Sequence, residues 1–198
     1  MELEGKNLKL APLTMEDAYD MRSWGQHKSK LLADYNFPYI NDTEVKTWFR
    51  FKTFNWRNSY FSVRDKDGRL VGYMGIKNKR PFKRTAFLGI VFDPDKINKG
   101  LGTEALETFL PYYFEKLRMK ALLLEVAEFN ERAIHVYEKL GFKKTAYYLD
   151  PFPDQGIDRS DPELIRWKSC FVFDGEKIYN YIYEMKLTKD VYLSRKRS

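Results

Sequence analysis

The passage from Thr85 to Ala105 constrains the fold more than any other. Thr85-Ala86-Phe87-Leu88-Gly89-Ile90-Val91-Phe92 is an apolar run with few polar breaks, and Asp93-Pro94 ends it. That pattern suits a central strand buried on both faces. A short polar loop carrying Lys96 and Lys99 follows, and Gly100-Leu101-Gly102-Thr103 opens the next element. From there Ala105, Leu106, Phe109, Leu110, Tyr113, Phe114 and Leu117 fall on one broad helical stripe to about residue 117, with Pro111 placed to kink it. A strand that runs through a glycine-flanked coil into a helix aims unpaired N–H groups and positive dipole at the strand's end, where an anion can sit. Gly100 and Gly102 allow a phosphate close to the backbone. Taken alone, the same residues also describe an ordinary tight strand–helix turn.

The rest of the chain supplies the frame. Residues 7–11 alternate like a first strand, and Thr14 with Asp17 three positions on reads as a helix start. A second helix is expected near Asp42 or Thr43. Residues 60–64 and 69–77 form a hairpin about Asp67-Gly68. Residues 121–126 read as a buried strand, 132–140 as a helix capped by Gly141, and Phe142 opens another strand. After a proline-rich inserted loop over 150–162, residues 165–173 and 178–187 are expected to close the chain as a β-hairpin. Antiparallel hairpins with one β-α-β crossover exclude a doubly wound sheet and a helix bundle.

At the end of the strand after the long helix stands Asn130-Glu131-Arg132-Ala133-Ile134-His135-Val136-Tyr137, closing in Gly141-Phe142. Asn130, Ala133 and Tyr137 are spaced to share a helix face. With Gly100 and Gly102, these residues resemble the GNAT superfamily of acetyl-CoA-dependent N-acyltransferases. Its first motif has the form Gln/Arg-x-x-Gly-x-Gly/Ala, and its second is an Asn–Ala–Tyr helix ending in Gly-Phe. The order of elements from Asn7 to Leu187 also fits. The Asn7–Thr14 segment and the C-terminal hairpin look most like the branch that includes ribosomal-protein N-terminal acetyltransferases.

The resemblance implies a mixed α/β fold, with a mostly antiparallel sheet of six to seven strands, a splayed parallel pair, and helices on both faces. Residues 1–190 would form one acyltransferase domain and 191–198 a basic tail. It implies acetyl-CoA as co-substrate, held by Ile90, Val91, Phe92, Asn98, Lys99, Gly100, Leu101, Gly102, Thr103, Asn130, Ala133 and Tyr137. The activity implied is acetyl transfer to a primary amine of a peptide, protein or small molecule by direct attack. Backbone groups of the strand ending at Phe92 would stabilise the oxyanion, and Tyr137 would protonate the departing thiolate.

The chain departs from the family pattern in three places. Ile97 stands at the Gln/Arg position and Asn98 where glycine is frequent. Residues 85–92 carry no carboxylate, where many members have a general-base Glu. That absence favours a weakly basic acceptor such as an α-amino group, or a base reached through water, with Glu128 and Asp93 as candidates. The aromatic load of Trp24, Tyr35, Phe37, Tyr39, Trp48 and Trp56 is expected to wall the acceptor site. His27 and His135 read as isolated surface residues, Glu125 as a strand-end surface acid, and Cys170 as inert packing in a strand.

Composition narrows the remaining classes. One cysteine among 198 residues excludes an internal disulfide framework, and with two histidines it offers little to a metal, so none is expected. The chain starts without a secretory apolar run, and no stretch approaches the length of a membrane span, so a cytoplasmic protein is expected. A net charge of +7, from 35 Lys+Arg against 28 Asp+Glu, suits an anionic partner without naming it. The charge gathers at Lys77–Arg84 and Ser194–Ser198, plainly read as a solvated hairpin tip and a frayed terminus. A homodimer is compatible with the sequence, and nucleic acid is not the expected partner. Two rival readings are a CoA-binding sensor without turnover and an RNA- or ribosome-associated protein using the 77–84 tip.

Overall fold

The computed structural model describes residues 1–97 and 100–197. The elements in chain order begin with β1 (Leu3–Glu4), β2 (Leu8–Pro12), α1 (Met15–Asp20), α2 (Asp42–Thr53), β3 (Ser59–Asp65), β4 (Leu70–Arg80) and β5 (Thr85–Phe92). There follow α3 (Leu101–Pro111), β6 (Ala121–Ala127), α4 (Glu131–Lys139), β7 (Lys143–Pro151), α5 (Pro162–Arg166), β8 (Phe171–Asp174), β9 (Lys177–Thr188) and α6 (Lys189–Arg197). The strands form one sheet in the order β1-β2-β3-β4-β5-β6-β9-β7, with β8 on β9. Every pairing is antiparallel except β5 with β6. The mixed α/β architecture with one splayed parallel pair is therefore present.

The stripe of α3 lies on one face of this sheet, where Leu106, Phe109, Tyr113 and Phe114 meet Leu10, Val63, Met74 and Leu122; Ile134 of α4 joins the same core. Val45 and Trp48 of α2 and Ala18 of α1 form a second core with Trp24, Phe37 and Leu70. The Thr14 start behaves as its sequence predicts. The Thr14 hydroxyl accepts the Asp17 N–H at 3.2 Å, and Asp17 returns a bond from the Thr14 N–H at 2.8 Å, the reciprocal pair of a capping box. Asp17 is buried and also holds the Arg64 guanidinium of β3, so the cap fastens α1 to the sheet.

Several elements differ from expectation for local reasons. The sheet has nine strands, among them the two-residue β1, too short to show a period, and the four-residue β8, which keeps only the end of the strand expected over 165–173. Residues 162–166, placed partly in a strand by their apolar content, are helical. The Asp161 carboxylate accepts the Glu163 N–H at 2.9 Å and Pro162 sits at the first helical position, a start signal that overrides the alternation. Cys170 accordingly lies in a short turn of helix (Lys168–Cys170), buried, rather than in a strand. Pro111 ends α3 as regular α-helix, and Tyr112–Lys116 continue as a π turn in which the Leu117 N–H reaches the Tyr112 carbonyl at 2.9 Å. The basic terminus forms α6, whose Tyr192 stacks on Phe114 at 5.0 Å and donates to Glu115 at 2.7 Å.

One tie fixes where α3 begins. Glu104, in its first turn, accepts the Asn7 N–H and, at 3.0 Å, the Asn7 side-chain amide. Gly5 makes this approach possible, since a Cβ there would stand 2.6 Å from Thr108 Oγ1 and 3.1 Å from Glu104 Oε1. Burial pushes the Glu104 carboxyl up, but the N–H donors of the 6–8 segment outweigh it and hold its pKa below the ordinary carboxylate value. A lowered folded-state pKa stabilises the fold above the unfolded value of about 4.3 and ceases to do so as pH falls through the folded one. Glu104→Ala should therefore cost about 1–2 kcal/mol at neutral pH. In urea titrations of both proteins, that gap should close as the pH is taken well below about 4; a gap unchanged by acid would contradict the tie.

Candidate active site

The sheet opens at β5. Its ladder with β6 runs Thr85↔Ala121, Ala86↔Leu122 and Phe87↔Leu123, and then the strands part. Each follows its other neighbour: β5 stays on β4 as far as Gly72↔Phe92, while β6 stays on β9 from Ala121 to Ala127. The orientation of the freed backbone follows from the ladder. The Asp93 N–H bonds the Val71 carbonyl at 2.9 Å, next to the pairs Tyr73↔Val91 and Gly75↔Gly89. Antiparallel pairs alternate between bonded and non-bonded, so Val91 and Gly89 face β4. The Leu88 carbonyl and the N–H and C=O groups of Ile90 and Phe92 turn to the side that β6 has left.

The opening is a cleft of about 740 Å³, within the range of cofactor and ligand sites. The sequence-predicted residues Ile90, Val91, Phe92, Gly100, Leu101, Gly102, Thr103, Asn130, Ala133 and Tyr137 all line it. Asn98 and Lys99 lie outside the described residues. Gly100 caps α3 in the left-handed conformation, φ 74°, with no side-chain cap, so the first-turn N–H groups open toward the cleft mouth. A Cβ on Gly102 would meet Phe92 at an ordinary 3.5 Å. Packing within the chain therefore does not demand glycine at 102, whereas a phosphate against these N–H groups would. Ile97 also lines the cleft and offers no polar contact there.

Asn130 is the N-cap of α4, its amide oxygen accepting the Ala133 N–H at 3.3 Å, rather than a residue inside the helix. Tyr35 hydrogen-bonds the Asn130 side chain and adjoins Tyr137. Burial, with Tyr35 beside it, raises the Tyr137 pKa far above that of a free phenol, so the hydroxyl is a proton carrier throughout the neutral range.

Other residues are placed differently from expectation. Asp93 is buried, accepting the Gly25 N–H at 3.0 Å and the Asp95 N–H at 3.1 Å; it holds a turn and does not line the cleft. Glu128 accepts the Tyr147 and Tyr183 hydroxyls at 2.9 and 2.8 Å, also away from it. Of the six expected aromatics, Tyr35 reaches the cleft. Trp24, Phe37 and Trp48 are core, Tyr39 packs against that core, and Trp56 is 69% exposed.

The rest of the cleft wall is built from residues to which sequence reading gave no part in the site. Tyr60 and Tyr73 line it, and Lys52 Nζ lies 5.4 and 5.9 Å from their ring centres. Burial, then the neighbouring Lys77, lowers the Lys52 pKa. His27 is a lining residue as well, its pKa lowered by burial and then by Arg132, which keeps it neutral at pH 7. Glu125 is exposed, in keeping with its reading as a surface acid, and also borders the cleft. Continuing the register sets it opposite Gly89 across the gap, and the Tyr148 hydroxyl donates to it at 2.9 Å. Asp150 and Glu184 lie close to the same hydroxyl.

A helix N-terminus at the mouth of a splayed parallel pair, with unpaired strand amides inside and a protonated phenol opposite, makes a cleft that suits a phosphate-bearing ligand. The chain belongs to the GNAT acetyltransferases: residues 7–143 match the family model described as acetyltransferase (GNAT) domain. Members of this family use acetyl-CoA as co-substrate, and acyl transfer is accordingly this chain's class of reaction. Among relatives, the spermidine N(1)-acetyltransferase of Escherichia coli (strain K12) is 29% identical over 146 residues, 74% of this chain and 78% of the relative. The enzyme of the same name from Vibrio cholerae is 25% identical over 145 residues, 73% and 84% of the two. A solved Vibrio cholerae spermidine/spermine N-acetyltransferase superposes with a TM-score of 0.68 at 20% identity, covering 96% of each chain, which shows the shared fold. No helix among the described residues is long and apolar enough to cross a membrane.

Gly102→Glu should weaken coenzyme A binding by at least about a hundredfold, because it sets a negative charge and bulk against the first-turn N–H groups. Calorimetric titration with coenzyme A checks this, and an unchanged dissociation constant would remove the phosphate from that place.

Proposed function

We propose that the protein transfers the acetyl group of acetyl-CoA to a primary amine of a small polycation. The observation that carries this reading is the acidic lining of the cleft: Glu125 and Asp150 border it and, with Glu184 nearby, gather about the Tyr148 hydroxyl, while Asp34 lines it close to Tyr35 and Lys52. An acceptor with one reacting amine and further ammonium groups would find countercharge there. The named relatives, which act on spermidine by their names, point the same way. They do not favour the ribosomal-protein branch that residues 7–14 resemble.

The donor would lie along the residues that fit it. The first-turn N–H groups of α3 and Gly102 would take the pyrophosphate, and the freed groups of Leu88, Ile90 and Phe92 would hold the pantetheine arm. Acetyl-CoA supplies an activated thioester. The Ile90 N–H would face the developing oxyanion, a fixed dipole of a kind worth roughly 3–4 kcal/mol in comparable sites. Glu125 would bind the acceptor ammonium and take its proton, directly or through water. Tyr137 would hold the proton for the leaving thiolate. Its raised pKa makes donation uphill until a charge develops beside it, so its hydroxyl would act late in the reaction.

A second reading rests on Lys52 and Lys77 at the other end of the acceptor side. They would suit an acceptor bearing a carboxylate, such as a short peptide or amino acid.

Thiol release separates the two. Under the first reading, kcat/KM for spermidine exceeds that for a monoamine or a tripeptide by at least about tenfold, one missing ion pair being enough for that ratio. Faster turnover of the peptide would favour the second. Glu125→Gln should lower kcat/KM for spermidine by about 10²-fold or more while leaving coenzyme A affinity intact. Tyr137→Phe should reduce kcat more than coenzyme A affinity, and equal losses in both would reduce Tyr137 to packing.

A further inference from the structure

We infer that the outer face of α2 and the β4–β5 hairpin tip form a docking surface for single-stranded nucleic acid, beside the acceptor end of the cleft. The charge of the chain is concentrated there. Residues 45–58 and 76–92 carry nine Lys and Arg and no Asp or Glu, leaving 26 Lys+Arg against 28 Asp+Glu elsewhere. Without these two segments the chain is slightly acidic. They are joined in space: the Lys79 N–H bonds the Arg57 carbonyl at 3.0 Å, the Asn78 N–H bonds Asn58 Oδ1 at 3.1 Å, and Lys79 Nζ reaches Ser59 Oγ at 3.0 Å. Among the described residues, none of the nine cations makes a salt bridge.

Large rings stand out among these cations. Phe51, Phe54 and Trp56 are 78%, 93% and 69% exposed, and Phe82 at the hairpin tip is fully exposed. Arg57 lies over the Trp56 ring at 5.4 Å. Exposed rings gathered in one region of a soluble fold mark an interaction site. Cations mixed with rings suit a phosphate backbone with unstacked bases.

Two other occupants fit less well. A membrane-surface helix turns an apolar face into lipid and its cations away; here the apolar face of α2, with Val45 and Trp48, is already spent on the protein core. What remains outward beyond its first turn and just past its end is Lys46, Arg50, Phe51 and Phe54 among threonines, the exposed Asp42 and Glu44 lying in that first turn. A second copy of the same surface would set like charges against one another. Lys52 and Lys77 line the cleft, so the surface runs to the acceptor entrance.

The test is fluorescence anisotropy of the full chain with a labelled single-stranded oligouridine from about 50 to 200 mM salt. Duplex RNA and phosphatidylserine vesicles serve as competitors. We expect binding that weakens steeply with salt, a log–log slope near −3 for about four phosphates, and weak competition by duplex. Phe54→Ala with Trp56→Ala should weaken binding by at least about tenfold without changing that slope. Arg50→Gln with Lys83→Gln should flatten the slope by about one unit or more. Lys196→Gln, in α6, should change neither. These side chains are exposed, so the variants keep the fold. Absence of binding, affinity indifferent to ring removal, or vesicles displacing the oligonucleotide would each overturn the inference.

Discussion

The molecule depends on the parting of β5 from β6 after three residue pairs. A sheet pays heavily for unpaired backbone in its interior, so the gap must be held open by stronger pairings on each side. β4 holds β5 to its last residue, and β9 holds β6 over its full length. The Leu88 carbonyl and the donors and acceptors of Ile90 and Phe92 thereby stay open to the cleft, and α3 presents its own unpaired amides at the same mouth. The Glu104 tie to the Asn7 segment and the left-handed Gly100 fix where that helix begins. On the proposed reading, recognition of the donor would be a property of backbone with few side chains required, and Ile97 in place of a polar residue would be tolerated there.

The proposed acceptor side has the opposite character, since it rests on the side chains of Lys52, Tyr60, Tyr73, Glu125 and Asp150 from separate elements. Acids gather toward β6 and β7, while lysines sit toward β3 and β4. A polycation and a peptide would meet different ends of one cleft. The excess positive charge beyond Lys52 and Lys77 adds a long-range field that a polyanion would feel and that a polyamine would have to enter against.

Elements with a strong local signal were legible in the sequence. The Thr85–Phe92 run became β5 with those bounds, Thr14 and Asp17 formed their capping box, and Gly141 took its positive φ of 92°. That one cleft would gather residues 90–92, 100–103, 130, 133 and 137 was legible for the same reason, because glycines before a helix and an Asn-x-x-Ala-x-x-x-Tyr face are short-range patterns. The opposite wall of the cleft was not. Tyr60, Tyr73, Lys52 and Glu125 are far apart in the chain and carry no motif; only strand register brings them together. Asp93 and Glu128 sit near the right strand ends, yet backbone and tyrosine donors turn them elsewhere. Residues 162–166 show a helix start winning over apolar content, which a reading by alternation alone undervalues.

The central claim, that the splay and the start of α3 are one donor site, is tested most directly by hydrogen exchange with and without coenzyme A. Bound coenzyme should slow exchange in peptides spanning 88–92 and 100–104, with smaller changes in the outer strands β1 and β2. Protection confined to other segments, or unchanged exchange at saturating coenzyme, would contradict it.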